Sequence, residues 1–137
     1  MAQFEIAEAF FDACETGKGW DACKAWCDAN ATFSCQADAL AQTKTLSADC
    51  DWMQGLLTPV PDGRYALTAF ARDEERQTAV ATAQFHGTQA GEGGPVPPTG
   101  KAVVPDYAYV MQFEADKIVH MTKVWNDVQA LRGLGWA

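Results

Sequence analysis

Basic residues are scarce in this chain. Ten lysines and arginines stand against eighteen aspartates and glutamates, for a formal charge of −8. That balance repels phosphate backbones and anionic lipid heads, so neither nucleic acid nor a membrane surface is expected as a partner. No apolar run is long enough to cross a bilayer. The opening stretch, "MAQFEIAEAFFDACE", lacks both the basic start and the continuous apolar core of a secretion signal, and a cytoplasmic protein is expected. Histidine occurs only at His86 and His120, and no Cys or His pair is spaced to complete a metal site. No nucleophile elbow is present either.

The five cysteines are Cys14, Cys23, Cys27, Cys35 and Cys50. An odd number in a reducing compartment reads as free, buried thiols. Cys23 and Cys27 sit four apart and would share one helix face, but a metal needs two further ligands. No metal and no cofactor is expected.

A chain of 137 residues is read as one domain, 1–137, with enough surface to bury a core. Residues 3–16 follow a helical period. Phe4, Ile6, Ala7, Phe10, Phe11, Ala13 and Cys14 fill one half of the wheel, and Glu5, Glu8, Asp12 and Glu15 fill a half read as solvated. Gly17 to Gly19 end this helix. A second helix is expected from Trp20 to Ala29, with Trp20, Cys23, Trp26 and Cys27 on its apolar side. Ala31 to Ala37 suits a strand. Ser47 is the expected N-cap of a third helix carrying Leu46, Cys50, Met53 and Leu57, stopped at Pro59 to Gly63.

From Arg64 the period changes to two. Strands are expected over 64–75, 77–89, 101–115 and 117–127, joined as an antiparallel meander and followed by a short helix near the C-terminus. The order ααβαββββ plus that helix is of the α+β class. A long twisted sheet curls, and curled around the N-terminal helices it forms a cone with space for a small apolar molecule. Trp20, Trp26, Trp52, Tyr107, Tyr109, Phe113 and Trp125 supply aromatic walls for such a ligand, or ordinary core. Trp20, Trp52, Met53, Tyr109, Trp125 and His86 are the binding candidates.

Between the second and third of these strands lies "FHGTQAGEGGPVPPTGK", Phe85 to Lys101. Its Gly-Lys end suggests a phosphate loop, but Pro95 stands where the first glycine belongs and Ala102 where a hydroxyl is needed. The dinucleotide pattern fails at Val96, and no helix follows to receive a phosphate. A long inter-strand connection remains. Its glycines permit unusual backbone angles, and Pro95, Pro97 and Pro98 stiffen it.

"GTQAGEGGPVPPTGK" resembles a family pattern of Gly-Thr-His, a glycine-rich loop and Pro-Pro-Thr-Gly-Lys. Asp116-Lys117-Ile118-Val119-His120, then Asp127, then Leu134-Gly135 resemble the family's continuation. The family is the SnoaL-like polyketide cyclases, within the nuclear transport factor two superfamily of cone-shaped α+β barrels. The resemblance implies that fold over the whole chain, a homodimer packed through a sheet face, and an acid–base aspartate at Asp127 for cyclase or isomerase chemistry on an apolar carbonyl compound. Beside Trp125, such a carboxylate could take a proton from carbon next to a carbonyl. Its alternative role is a cap on the last helix.

The chain departs from the pattern at two places. Gln89 replaces the histidine of Gly-Thr-His, and His120 replaces a glutamate. Strand parity places His86 with Gln84 and Thr88, and sets His120 on the face opposite Asp127. Three readings stand: a small-molecule enzyme, a non-catalytic binder of a hydrophobic ligand, and a dimeric scaffold.

Overall fold

The computed structural model describes residues 2–136. In chain order the elements are α1 (Gln3–Glu15), α2 (Trp20–Cys23), β1 (Cys27–Cys35), α3 (Leu46–Leu56), β2 (Arg64–Asp73), β3 (Thr78–Thr88), β4 (Ala102–Val103), β5 (Asp106–Glu114), β6 (Lys117–Trp125) and α4 (Asp127–Leu134). The expected α+β order is therefore observed. The expected final segment runs on to Ala137, which, like Met1, lies outside the described residues.

The strands form one six-stranded sheet in the order β1-β6-β5-β3-β2, with the short β4 paired to β3. All neighbours are antiparallel except β1 and β6, which run parallel. Register shifts fall between Leu67 and Ala69 and between Gln112 and Phe113. Such bulges bend strands, and here they accompany the curl of the sheet around α1.

Small residues let that helix lie close. On β3, Ala79, Ala81 and Ala83 alternate inward and are buried. Phe10 and Phe11 of α1 are buried as well. Each such phenylalanine contributes about 1.5–3 kcal/mol by leaving water. Phe11 packs edge-on against Tyr109, with ring centroids 5.0 Å apart. Tyr107, Tyr109, Met111 and Phe113 share one strand face, the buried inner one.

Several boundaries differ from the sequence reading. The second helix stops at Cys23, a tight turn carries Lys24–Trp26, and Cys27 already begins β1. Pairing of β1 with β6 overrides the local helical period there. The N-cap of α3 is Thr45, whose Oγ1 accepts from the Ala48 amide at 3.3 Å, rather than Ser47. The expected strand 101–115 is broken before Asp106. Pro105 offers no amide to a ladder, although its carbonyl accepts from the Phe85 amide at 3.0 Å.

The glycine-proline connection is held by Gln89. This side chain is fully buried. Its Oε1 accepts from the Thr99 amide at 2.5 Å, and its Nε2 donates to the Gly91 carbonyl at 3.1 Å. Thr99 Oγ1 in turn donates to the Leu134 carbonyl at 2.6 Å, tying the connection to α4. A Cβ at Gly91 would lie 2.2 Å from the Thr58 carbonyl oxygen, so only glycine fits.

Candidate functional site

A small cavity lies between the concave sheet face, α3 and α4. Its lining includes Glu15, Trp52, Met53, Tyr107, Lys123 and Trp125, and one wall is made by Leu131, Leu134 and Trp136. The free space is about 40 Å³. That holds a few waters and no ring system.

Glu15 ends α1, where it was read as part of a solvated face. It is 1% exposed. Helix geometry explains the difference: Glu15 follows Phe11 by four residues and Ala7 by eight, and both are buried. Tyr107 Oη donates to Glu15 Oε2 at 2.7 Å, and Tyr109 Oη donates to Oε1. Burial pushes the carboxyl up to about 7, against the opposing pull of Lys123 and the two hydroxyls.

Lys123 is the other polar group of the wall. It is 5% exposed, on the inward side of β6 between Met121 and Trp125. Its Nζ sits 5.0 Å from the Trp125 ring, 5.3 Å from Trp52 and 5.8 Å from both Tyr107 and Tyr109. Cations are attracted to ring faces at such distances. Its remaining polar contact is with Met53 Sδ at 3.7 Å. Among the described residues the ion pairs are Lys24–Asp21 and Arg76–Asp73, both at the surface, so no carboxylate lies within 4.0 Å of Lys123.

Asp49, in the first turn of α3, lies behind this wall. It is completely buried, and burial pushes its carboxyl well above the ordinary value. Cys14 Sγ makes a long contact to its Oδ2 at 4.0 Å, and Oδ1 has no partner.

The residues singled out from the sequence divide into two groups. Trp52, Met53 and Trp125 come together on the cavity wall, while Tyr109 stands behind it holding Glu15. Asp127 is buried as the first residue of α4, and its Oδ2 accepts from the Ala39 amide at 2.8 Å. The N-cap itself is Asn126, whose Oδ1 accepts from the Gln129 amide at 3.2 Å. Asp127 is not part of the cavity lining. Trp20 packs half-buried on the core, with its amide donating to Asp51 Oδ1 at 3.0 Å. His86 lies opposite Arg64 on the outward side of β3. The sequence reading missed Glu15, Lys123 and Asp49. For Lys123 the signal was strand alternation, which put it with Met121 and Trp125.

His120 faces outward, as parity predicts. Its Nδ1 is 2.7 Å from Thr32 Oγ1, and its Nε2 is 3.1 Å from Ser34 Oγ and 3.2 Å from Thr122 Oγ1. Among the described residues no three His, Cys, Asp or Glu side chains are arranged to hold a metal ion. No described helix is long and apolar enough to cross a membrane.

A curled, mostly antiparallel sheet folded over helices, with a polar pair inside an aromatic cavity, defines a cone-shaped α+β protein. The SnoaL-like domain family matches residues 7–121, and the chain belongs to that family. No curated protein matches it. Among solved structures it is similar to an NTF2-like protein from Burkholderia thailandensis, with TM-score 0.76, 17% identity, and 98% of each chain covered. It is also similar to IdmH from Streptomyces antibioticus, a candidate polyketide cyclase, with TM-score 0.75 and 17% identity, covering 98% of this chain and 99% of that one. A hypothetical protein of ketosteroid isomerase-like fold from Catenulispora acidiphila, in complex with trimethylamine, gives TM-score 0.72 and 17% identity, covering 97% and 94%. At these identities the likeness establishes the fold.

Proposed function

We propose that this chain is an acid–base enzyme that isomerises or cyclises a small apolar carbonyl compound, with Glu15 as the proton-transfer group. The observation that carries this reading is Glu15 itself, buried on the cavity wall, held by two tyrosine hydroxyls and poised at about 7. A carboxyl at that value is part ionised at neutral pH. Its anion takes a proton from carbon next to the carbonyl, and its acid form returns a proton elsewhere on the enolate or to the new alkoxide after ring closure. Asp127 then acts at a distance, fixing the start of α4 through Ala39. Substrate access requires the wall of Leu131, Leu134 and Trp136 to move. Trp136 supports this, because its buried Nε1 has no hydrogen-bond partner where it stands.

The test is exchange of solvent deuterium into the α-carbon of apolar ketones, followed by NMR. Wild type and Asp127→Asn should both catalyse it, and Glu15→Gln should not. Exchange undiminished in Glu15→Gln would remove the proposed role. The competing reading, a ligand binder without chemistry, is favoured by the absence of histidine from the cavity lining. It predicts binding without exchange in any variant.

We further infer a homodimer formed through the outer sheet face, where Val124 is 60% exposed. Val124→Asp should shift the protein towards monomer in sedimentation. The five unpaired cysteines fit a reducing compartment such as the cytoplasm.

A further inference from the structure

The cavity wall has a charge imbalance in an otherwise acidic protein. Lys123 Nζ is enclosed by four aromatic rings, with a thioether as its polar contact and no carboxylate within ion-pair reach among the described residues. A buried cation without a hydrogen-bonded counter-ion is costly, and burial is tolerated when such a partner arrives. We propose that Lys123 is an anion receptor, and that the ligand of this cavity is a flat apolar molecule bearing one acidic oxygen, a carboxylate or phenolate, which pairs with its ammonium. This rests on the cavity being the functional site, as above, and adds the class of ligand.

Other charges around Lys123 support the assignment. Glu15 approaches from α1, Asp49 from α3 and the Cys35 thiol from β1, and the rings of Tyr107 and Tyr109 face it from β5. Burial pushes both carboxyls towards their neutral forms, Glu15 to about 7, which weakens their hold on the ammonium. The aromatic rings supply flat apolar contact for the rest of the ligand. Anion binding is then linked to Glu15: once ionised, it places a negative charge beside the receptor and competes with the ligand.

The experiment is calorimetric titration with 2-naphthoate and its neutral isostere 2-naphthamide. At pH 6, wild type should bind the acid at least tenfold more tightly than the amide. Lys123→Met should bring the two within twofold, and Lys123→Arg should keep the preference. Naphthoate affinity should fall several-fold between pH 6 and pH 8 in wild type and stay level in Glu15→Gln, which does not depend on Lys123→Met folding. Equal affinities in wild type, no naphthoate binding, or a preference that survives in folded Lys123→Met would each overturn the proposal. Failure of the deuterium exchange above with the naphthoate preference intact would sink the enzyme reading alone.

Discussion

The two faces of the sheet carry similar residue types in different physical states. Outside, His120 is ringed by Thr32, Ser34 and Thr122 at hydrogen-bond distance, and all four side chains are exposed or half-exposed. Inside, Glu15, Lys123 and Asp49 are almost wholly buried, and two of them are displaced from their ordinary protonation. A histidine is the more familiar sign of acid–base chemistry. Here desolvation, and not residue type, separates the inner face from the solvated one.

The sharpest break of that comparison is kinetic. Glu15→Gln should lower the rate of α-proton exchange by about 10²–10⁴-fold, the usual worth of a placed acid–base group. His120→Ala should leave the rate within twofold. A reversed ranking would move the chemistry to the outer face.

Next in size is the pH dependence of stability. The folded-state value of about 7 for Glu15 lies above the ordinary 4.5, so the folded protein holds this proton more tightly than the unfolded chain. The associated stability is full below about pH 4.5 and is lost as pH rises through 7. The gap corresponds to about 3 kcal/mol by pH 8. Asp49, raised for the same reason, acts in the same direction. Urea melts from pH 5 to pH 8 should show this loss, and Glu15→Gln should flatten it. No outer-face substitution should do so.

Gln89 provides a buried polar group away from the cavity. Gln89→Leu leaves the Thr99 amide and the Gly91 carbonyl without their partner, at a cost of about 1–3 kcal/mol in unfolding free energy by urea melts. Proton exchange should survive in the molecules that stay folded. The smallest effect belongs to Thr32→Val on the solvated face. Water replaces the lost hydroxyl there, and the expected change is under about 1 kcal/mol by the same melts.

Much of the architecture was legible locally. The 3.6-residue period marked α1, and alternation marked β3 and β5, while packing decided which of their faces turned inward. The resemblance of the glycine-proline connection to a family pattern led to the fold. The same connection also suggested where function departs from the family, since Gln89 stands in place of a histidine. In the folded chain that residue holds a loop together, and its replacement says nothing about the cavity. The candidate site was less legible. Glu15 sat on the acidic half of a helical wheel, and its burial came from Tyr107 and Tyr109, 92 and 94 residues further along. Asp127 drew attention through the family resemblance, yet its carboxylate is spent on a backbone amide 88 residues away.

By itself, the sequence determined the class of fold, the alternation of β3 and β5 and the small residues along one face of β3, because these follow from periodicity and side-chain size. Tertiary structure alone decided which charges lost their water. Helix α1 ends against β5, and β6 turns Lys123 inward beneath α3. Desolvation depends on what the rest of the chain brings alongside, and no local pattern records it.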